Sequence, residues 1–108
     1  MNTLEFIQSN KVITICRRVY GRELDQLAGA LSAGGIRLIE VTFDQSDPDC
    51  IQKTTQAIAM LNEKYGDKMM FGAGTVLTRE QVKAAADVGG RYIISPNTDP
   101  EIIAYTKD

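Results

Sequence analysis

Four times in succession the chain passes from a short apolar run to a segment with helical spacing. The apolar runs fall at 11–16, 38–43, 69–74 and 92–95, and glycine, proline or a capping residue marks most of the changes. The run at 11–16 is rich in β-branched residues (Val12, Ile13, Thr14, Ile15), as a buried strand requires. Between the runs, Leu24, Leu27, Ala28 and Leu31 recur at i, i+3, i+4 and i+7, which is one face of a helix. Gly34-Gly35 predicts its end. Asp47-Pro48 reads as N-cap and first residue of the next helix, with Ile51, Ile58, Leu61 and Tyr65 inward as far as Gly66.

Thr78 with Gln81 has capping-box spacing. The helix it opens turns Val82, Ala85 and Ala86 inward and stops at Gly89-Gly90, while Asp99-Pro100 opens a last helix carrying Ile102 and Ile103. A short helix beginning near Asn2 or Thr3 precedes the first run. Strands and helices alternating at this spacing imply a parallel sheet with right-handed crossovers. Residues 1–108 then form a single domain. Two architectures fit: a doubly wound sheet, or half of a (β/α)₈ barrel, which when complete takes roughly 250 residues. The last helix reaches Asp108 without a capping glycine and reads as interrupted.

The absence of histidine excludes Ser-His-Asp, Cys-His and His-metal chemistry. Cys16 and Cys50 fall in separate elements, so a disulfide framework is not expected and a reducing cytoplasm is. A net charge of −2 and the lack of a long apolar run point away from nucleic acid and membrane.

In parallel α/β folds, functional groups gather at the carboxyl ends of strands. Those ends carry Arg17 and Arg18, then Glu40, Thr42 and Asp44, then Thr75, then Ser95, Pro96 and Asn97. Glu40 is a carboxylate between Ile39 and Val41, sharing a strand face with Leu38 and Thr42. Burying it raises its proton affinity, and a general acid/base needs that; the alternative is a structural ion pair with Arg17. Arg17 could hold a carboxylate or phosphate, or be a solvated loop charge. Gly72-Ala73-Gly74-Thr75 is a tight strand end whose hydroxyl could reach an anion, although glycines there more often serve helix–strand packing. Asp44, Asp47 and Asp49 around Pro48 suit a solvated turn better than a metal site.

Three segments resemble one family. Ala33-Gly34-Gly35-Ile36 followed by Glu40-Val41-Thr42, then Gly72-Ala73-Gly74-Thr75-Val76, then Tyr92-Ile93-Ile94-Ser95-Pro96 resemble, in order and spacing, motifs of the 2-keto-3-deoxy-6-phosphogluconate / 4-hydroxy-2-oxoglutarate aldolases. The resemblance implies a short N-terminal helix followed by the parallel (βα)₄ half of a (β/α)₈ TIM barrel. It implies a cytoplasmic class I lyase, metal-free and without cofactor, usually a homotrimer. Such an enzyme cleaves a 2-keto-4-hydroxy acid, sometimes phosphorylated, to pyruvate and an aldehyde. On this chain it makes Glu40 the proton shuttle, and Arg17, Thr75 and Pro96 substrate-binding residues.

Two departures stand out. Asp44 occupies a position where many members carry a carboxylate-binding arginine. The Schiff-base lysine of the family lies on a later strand; Lys11, Lys53, Lys64, Lys68, Lys83 and Lys107 do not end an apolar strand, so the chain alone is expected to be inactive. With its sheet edges and inner face open, it is also expected to self-associate, to be partly disordered or to require a complementing second half. The competing expectation is a non-catalytic βα domain that binds a small keto acid or a protein partner.

Overall fold

The computed structural model describes residues 2–107. Helix α1 (Thr3–Asn10) leads into β1 (Thr14–Cys16), α2 (Gly21–Ala33), β2 (Leu38–Thr42), α3 (Cys50–Tyr65), β3 (Met70–Gly74), α4 (Arg79–Asp87) and α5 (Pro100–Lys107). The sheet is parallel in the order β1-β2-β3, with Ile15 beside Glu40 and Glu40 beside Gly72. The expected βα alternation is therefore observed, and β2, buried at every residue, is the central strand.

Period-two alternation divides the sheet into two faces. Cys16, Ile39, Val41, Phe71 and Ala73 join one apolar cluster with Leu24 and Ala28 of α2, Ile58 and Leu61 of α3, and Val82 and Ala85 of α4. Ile15, Leu38, Glu40, Thr42, Gly72 and Gly74 occupy the opposite parity. Leu38 is fully buried yet lies outside the helix-side cluster. Ile15 on that inner face remains 61% exposed.

The fourth apolar run is not a full strand. It makes one bridge, Ala73 to Ile93, with Ala73 N–H donating to Tyr92 O (3.1 Å) and Ile94 N–H to Ala73 O (2.9 Å). Beyond the bridge the bonding slips out of register: Arg91 N–H reaches Phe71 O and Val76 N–H reaches Ile94 O. Thr75 causes the break at the upper end, since its φ of 54° turns β3 away.

Other boundaries shift for local reasons. β1 begins at Thr14 because Lys11 closes α1 in the left-handed region (φ 66°). α3 begins at Cys50, not at Pro48. Asp47 spends its carboxylate on Asp49 N–H (2.8 Å), and Cys50 N–H closes a turn on Asp47 O, so Pro48 sits in a turn before the helix. Leu27, expected inward, is 36% exposed.

Thr78 does cap α4, accepting from Gln81 N–H (3.1 Å). The Gln81 side chain does not return to Thr78 N–H; it accepts from Leu77 N–H (2.9 Å) and donates to Gln45 (2.9 Å). Only 4% exposed, Gln81 ties the β2–α3 loop to the start of α4. Gln81→Leu is expected to cost about 1 kcal/mol, read as a lower urea midpoint with unchanged slope.

Candidate active site on the inner face of the sheet

Glu40 lies in the middle of β2 on the face turned away from the helices and is 5% exposed. Its seat is made by a missing side chain. A Cβ on Gly74 would lie 1.7 Å from Glu40 Oε2 and 2.3 Å from Cδ, so only glycine leaves room for the carboxyl group. Thr42 Oγ1 donates to Oε2 at 3.4 Å, a long bond that neutralises little. Burial dominates and pushes Glu40 above the ordinary carboxylate range, with Thr42 and the positive charge of Arg17 pulling the other way. A carboxyl group whose proton affinity is raised is better matched to exchanging protons with a substrate.

Gly72, two residues earlier, makes a second seat. A Cβ there would come within 2.3 Å of the Tyr92 ring. The ring therefore lies over β3, and the Tyr92 hydroxyl donates to Ile39 O of β2 at 2.7 Å. Burial, then the neighbouring Glu40 and Cys16, lift the Tyr92 phenol far above the ordinary tyrosine range, so it stays protonated. Gly72 and Gly74 thus face the site, and Ala73 between them faces the helices. The helix–strand packing expected of these glycines is not what they do.

Arg17 follows β1 directly and is exposed; it bears on Glu40 through its charge and forms no ion pair with it. Arg18 instead pairs with Asp44, Nε to Oδ2 at 3.1 Å. Asp44 also accepts from Ser46 Oγ (2.6 Å) and Ser46 N–H (3.1 Å). Those bonds, with Arg18 beside it, hold Asp44 below its usual range. The aspartate that replaces the expected arginine is spent on turning the β2–α3 loop.

Thr75 ends β3 in the left-handed region, an outlier for a β-branched residue, and its carbonyl is held by Gln45 Nε2 at 2.6 Å. Pro96 is exposed in the loop between the Ile93 bridge and α5. The structure thus gathers Glu40, Thr42, Gly72, Gly74 and Tyr92, sets Arg17 and Thr75 at the ends of β1 and β3, and leaves Pro96 on the loop after Ile94. Tyr92 is the residue sequence reasoning missed as part of the site. Its parity with Ile94, opposite a glycine in β3, was the available signal.

Three lysines are engaged away from this face. Lys53, Lys64 and Lys83 pair with Asp47, Asp25 and Asp87 on the outer helices. Burial raises both free thiols, Cys16 and Cys50, which makes them poor nucleophiles. Among the described residues, no helix is long and apolar enough to cross a membrane.

Known proteins resemble this chain over most of its length. The family model for KDPG and KHG aldolase matches residues 4–108. A probable 2-dehydro-3-deoxy-6-phosphogalactonate aldolase of Rhizobium meliloti is 37% identical over 85% of this chain and 41% of its own length. The 2-dehydro-3-deoxy-phosphogluconate aldolase of Treponema pallidum is 34% identical over 94% of this chain and 45% of its own. A crystal structure of KDPG aldolase from Legionella pneumophila, with pyruvate captured at low pH as a covalent carbinolamine intermediate, superposes with a TM-score of 0.68 at 32% identity, covering 89% of this chain and 43% of that one. The chain spans less than half the length of these relatives. Its parallel α/β fold corresponds to half of their barrel. With the family model running from Leu4 onward, the chain belongs to the KDPG and KHG aldolase family.

Proposed function

We propose that this chain forms the proton-shuttling wall of a class I aldolase site that cleaves a 2-keto-4-hydroxy acid to pyruvate and an aldehyde. The observation that carries the reading is Glu40, a carboxyl group seated against Gly74 on the inner face, where burial raises its proton affinity. In cleavage, the base removes the C4 hydroxyl proton as the C3–C4 bond breaks, and an iminium on C2 takes up the electron pair as an enamine. Returning a proton to C3 gives the iminium of pyruvate, which water hydrolyses to release pyruvate and restore the amine. Glu40 would carry both protons. Arg17 and Thr75 would hold the keto acid's carboxylate from the neighbouring strand ends, and Pro96 would border the substrate on the loop beyond Ile94.

The iminium needs an amine in a dry pocket at a strand end. Here Lys53, Lys64, Lys83 and Lys107 lie on helices, Lys11 closes α1, and Lys68 precedes β3 at its amino end. The amine therefore comes from outside these 108 residues, and the chain alone forms no Schiff base. The carbinolamine captured in the Legionella enzyme is the adduct this chemistry passes through. By family resemblance the working state is a homo-oligomer, a trimer.

Borohydride reduction in the presence of pyruvate, followed by mass spectrometry, tests the division of labour. This chain is expected to gain no reduced pyruvyl group. An adduct on any of its own lysines overturns the proposal. Carbon-13 pyruvate should perturb the Glu40, Arg17 and Thr75 resonances, and silence at all three removes the binding reading.

A further inference from the structure

We propose that Tyr92 is the positioning residue for Glu40: it straddles β3 through the seat left by Gly72, pins the backbone of β2 next to Glu40, and walls the carboxyl group from water. Two independent contacts carry this. The ring occupies the space a Gly72 side chain would take, so it lies on the inner face beside Glu40, the register partner of Gly72. The hydroxyl donates to the carbonyl of Ile39, the residue immediately before Glu40, at 2.7 Å. A carbonyl oxygen has two lone pairs, so it can take this bond as well as one from the sheet.

The hydroxyl is what the role needs beyond the ring, because phenylalanine could fill the seat but could not make the bond. Tyr92 thereby joins the fourth segment, which has only one β-bridge of its own, to the central strand across β3. Charge around Glu40 comes from Arg17 on the β1 side; Cys16, Thr42 and Tyr92 are the other polar or titratable groups acting on it or acted on by it. Of these, Tyr92 is the one that brings a large apolar surface to the inner face.

This role rests on Glu40 being the proton carrier, and the test separates the two. The side-chain carboxyl carbons are labelled with carbon-13, and Glu40 is titrated by NMR in wild type, Tyr92→Phe and Tyr92→Leu. Wild-type Glu40 is expected to titrate above the ordinary carboxylate range, lower in the phenylalanine variant, and lowest with leucine. Exchange of the β2 amides should quicken about tenfold in Tyr92→Phe, as loss of one hydrogen bond predicts. An unchanged Glu40 midpoint in a folded Tyr92→Phe protein overturns the role of the hydroxyl, and no further fall with leucine overturns the role of the ring. Should leucine prevent folding, the phenylalanine variant still decides the role of the hydroxyl, and Tyr92→Met takes the place of leucine in testing the ring. A wild-type midpoint in the ordinary range removes the proton-carrier reading and the positioning role together.

Discussion

Gly74→Ala is expected to evict the Glu40 carboxyl group from its seat and to destabilise the fold by about 1–3 kcal/mol, the usual range for overpacking. The backbone does not object, because Gly74 is not among the residues with positive φ. The penalty is steric: the new methyl would sit 1.7 Å from Oε2 and 2.8 Å from Cγ. The obstruction is the end of a side chain, so Glu40 can swing aside, and the cost then falls on the site more than on the sheet. Displaced toward solvent, Glu40 would titrate as an ordinary carboxyl group. A double-mutant cycle isolates the contact. In a Glu40→Ala background the same alanine should cost less than half as much, measured by urea denaturation. Equal costs in both backgrounds would mean that Gly74 is conserving something other than room for Glu40.

The same arithmetic distinguishes the two glycines of the Gly-Ala-Gly segment. Gly74 makes room for the acid, and Gly72 makes room for the tyrosine beside it. They lie two apart in an extended strand and so share a face, while Ala73 between them packs toward the helices. The period of a strand is therefore enough to place two small residues where a site needs depth, without disturbing the core behind them.

That alternation is also why much of the fold could be read from the residues. Runs of β-branched and apolar side chains located β1, β2 and β3, and the Thr78 cap located α4, because these signals are local and the tertiary structure reinforces them. The fourth run failed as a strand because its pairing depends on β3, which Thr75 bends out of register, and the sequence carries no sign of a threonine at positive φ. The start of α3 was misplaced because Asp-Pro serves turns as well as helix starts, and a hydrogen bond to Asp49 N–H decided the matter. Within the site, Glu40 was legible as a charge in an apolar strand. Its seat was not, since what shapes it is an absent side chain on another strand. Tyr92 was hidden for the same reason: an aromatic in an apolar run looks like core until the glycine opposite it is known.

Glu40→Gln should make the protein more stable and, on the proposed function, its site ineffective, and pH separates the two effects. Burial raises the proton affinity of Glu40 in the folded chain above its unfolded value. Its favourable contribution is therefore fully present below the unfolded carboxylate range and is lost as pH rises through the higher folded value. At pH 8 the folded state must hold a desolvated negative charge that Arg17, exposed and without an ion pair to it, offsets only in part. Glutamine keeps the shape and carries no charge, so it should gain about 1 kcal/mol at pH 8, within the range of substitutions that relieve a strained functional site. The gain should shrink toward zero near pH 4, where both proteins carry a neutral group at that position. Urea midpoints at pH 4, 6 and 8 measure it. Asp25, Asp44 and Asp47 titrate alike in both proteins, so the difference isolates Glu40. If Glu40 carries the protons as proposed, Glu40→Gln in the assembled enzyme should slow turnover by about 10²–10⁴-fold. A glutamine variant that is less stable than wild type at pH 8, or a stability gap independent of pH, would show that the buried acid belongs to a structural network and not to a site held ready for proton transfer.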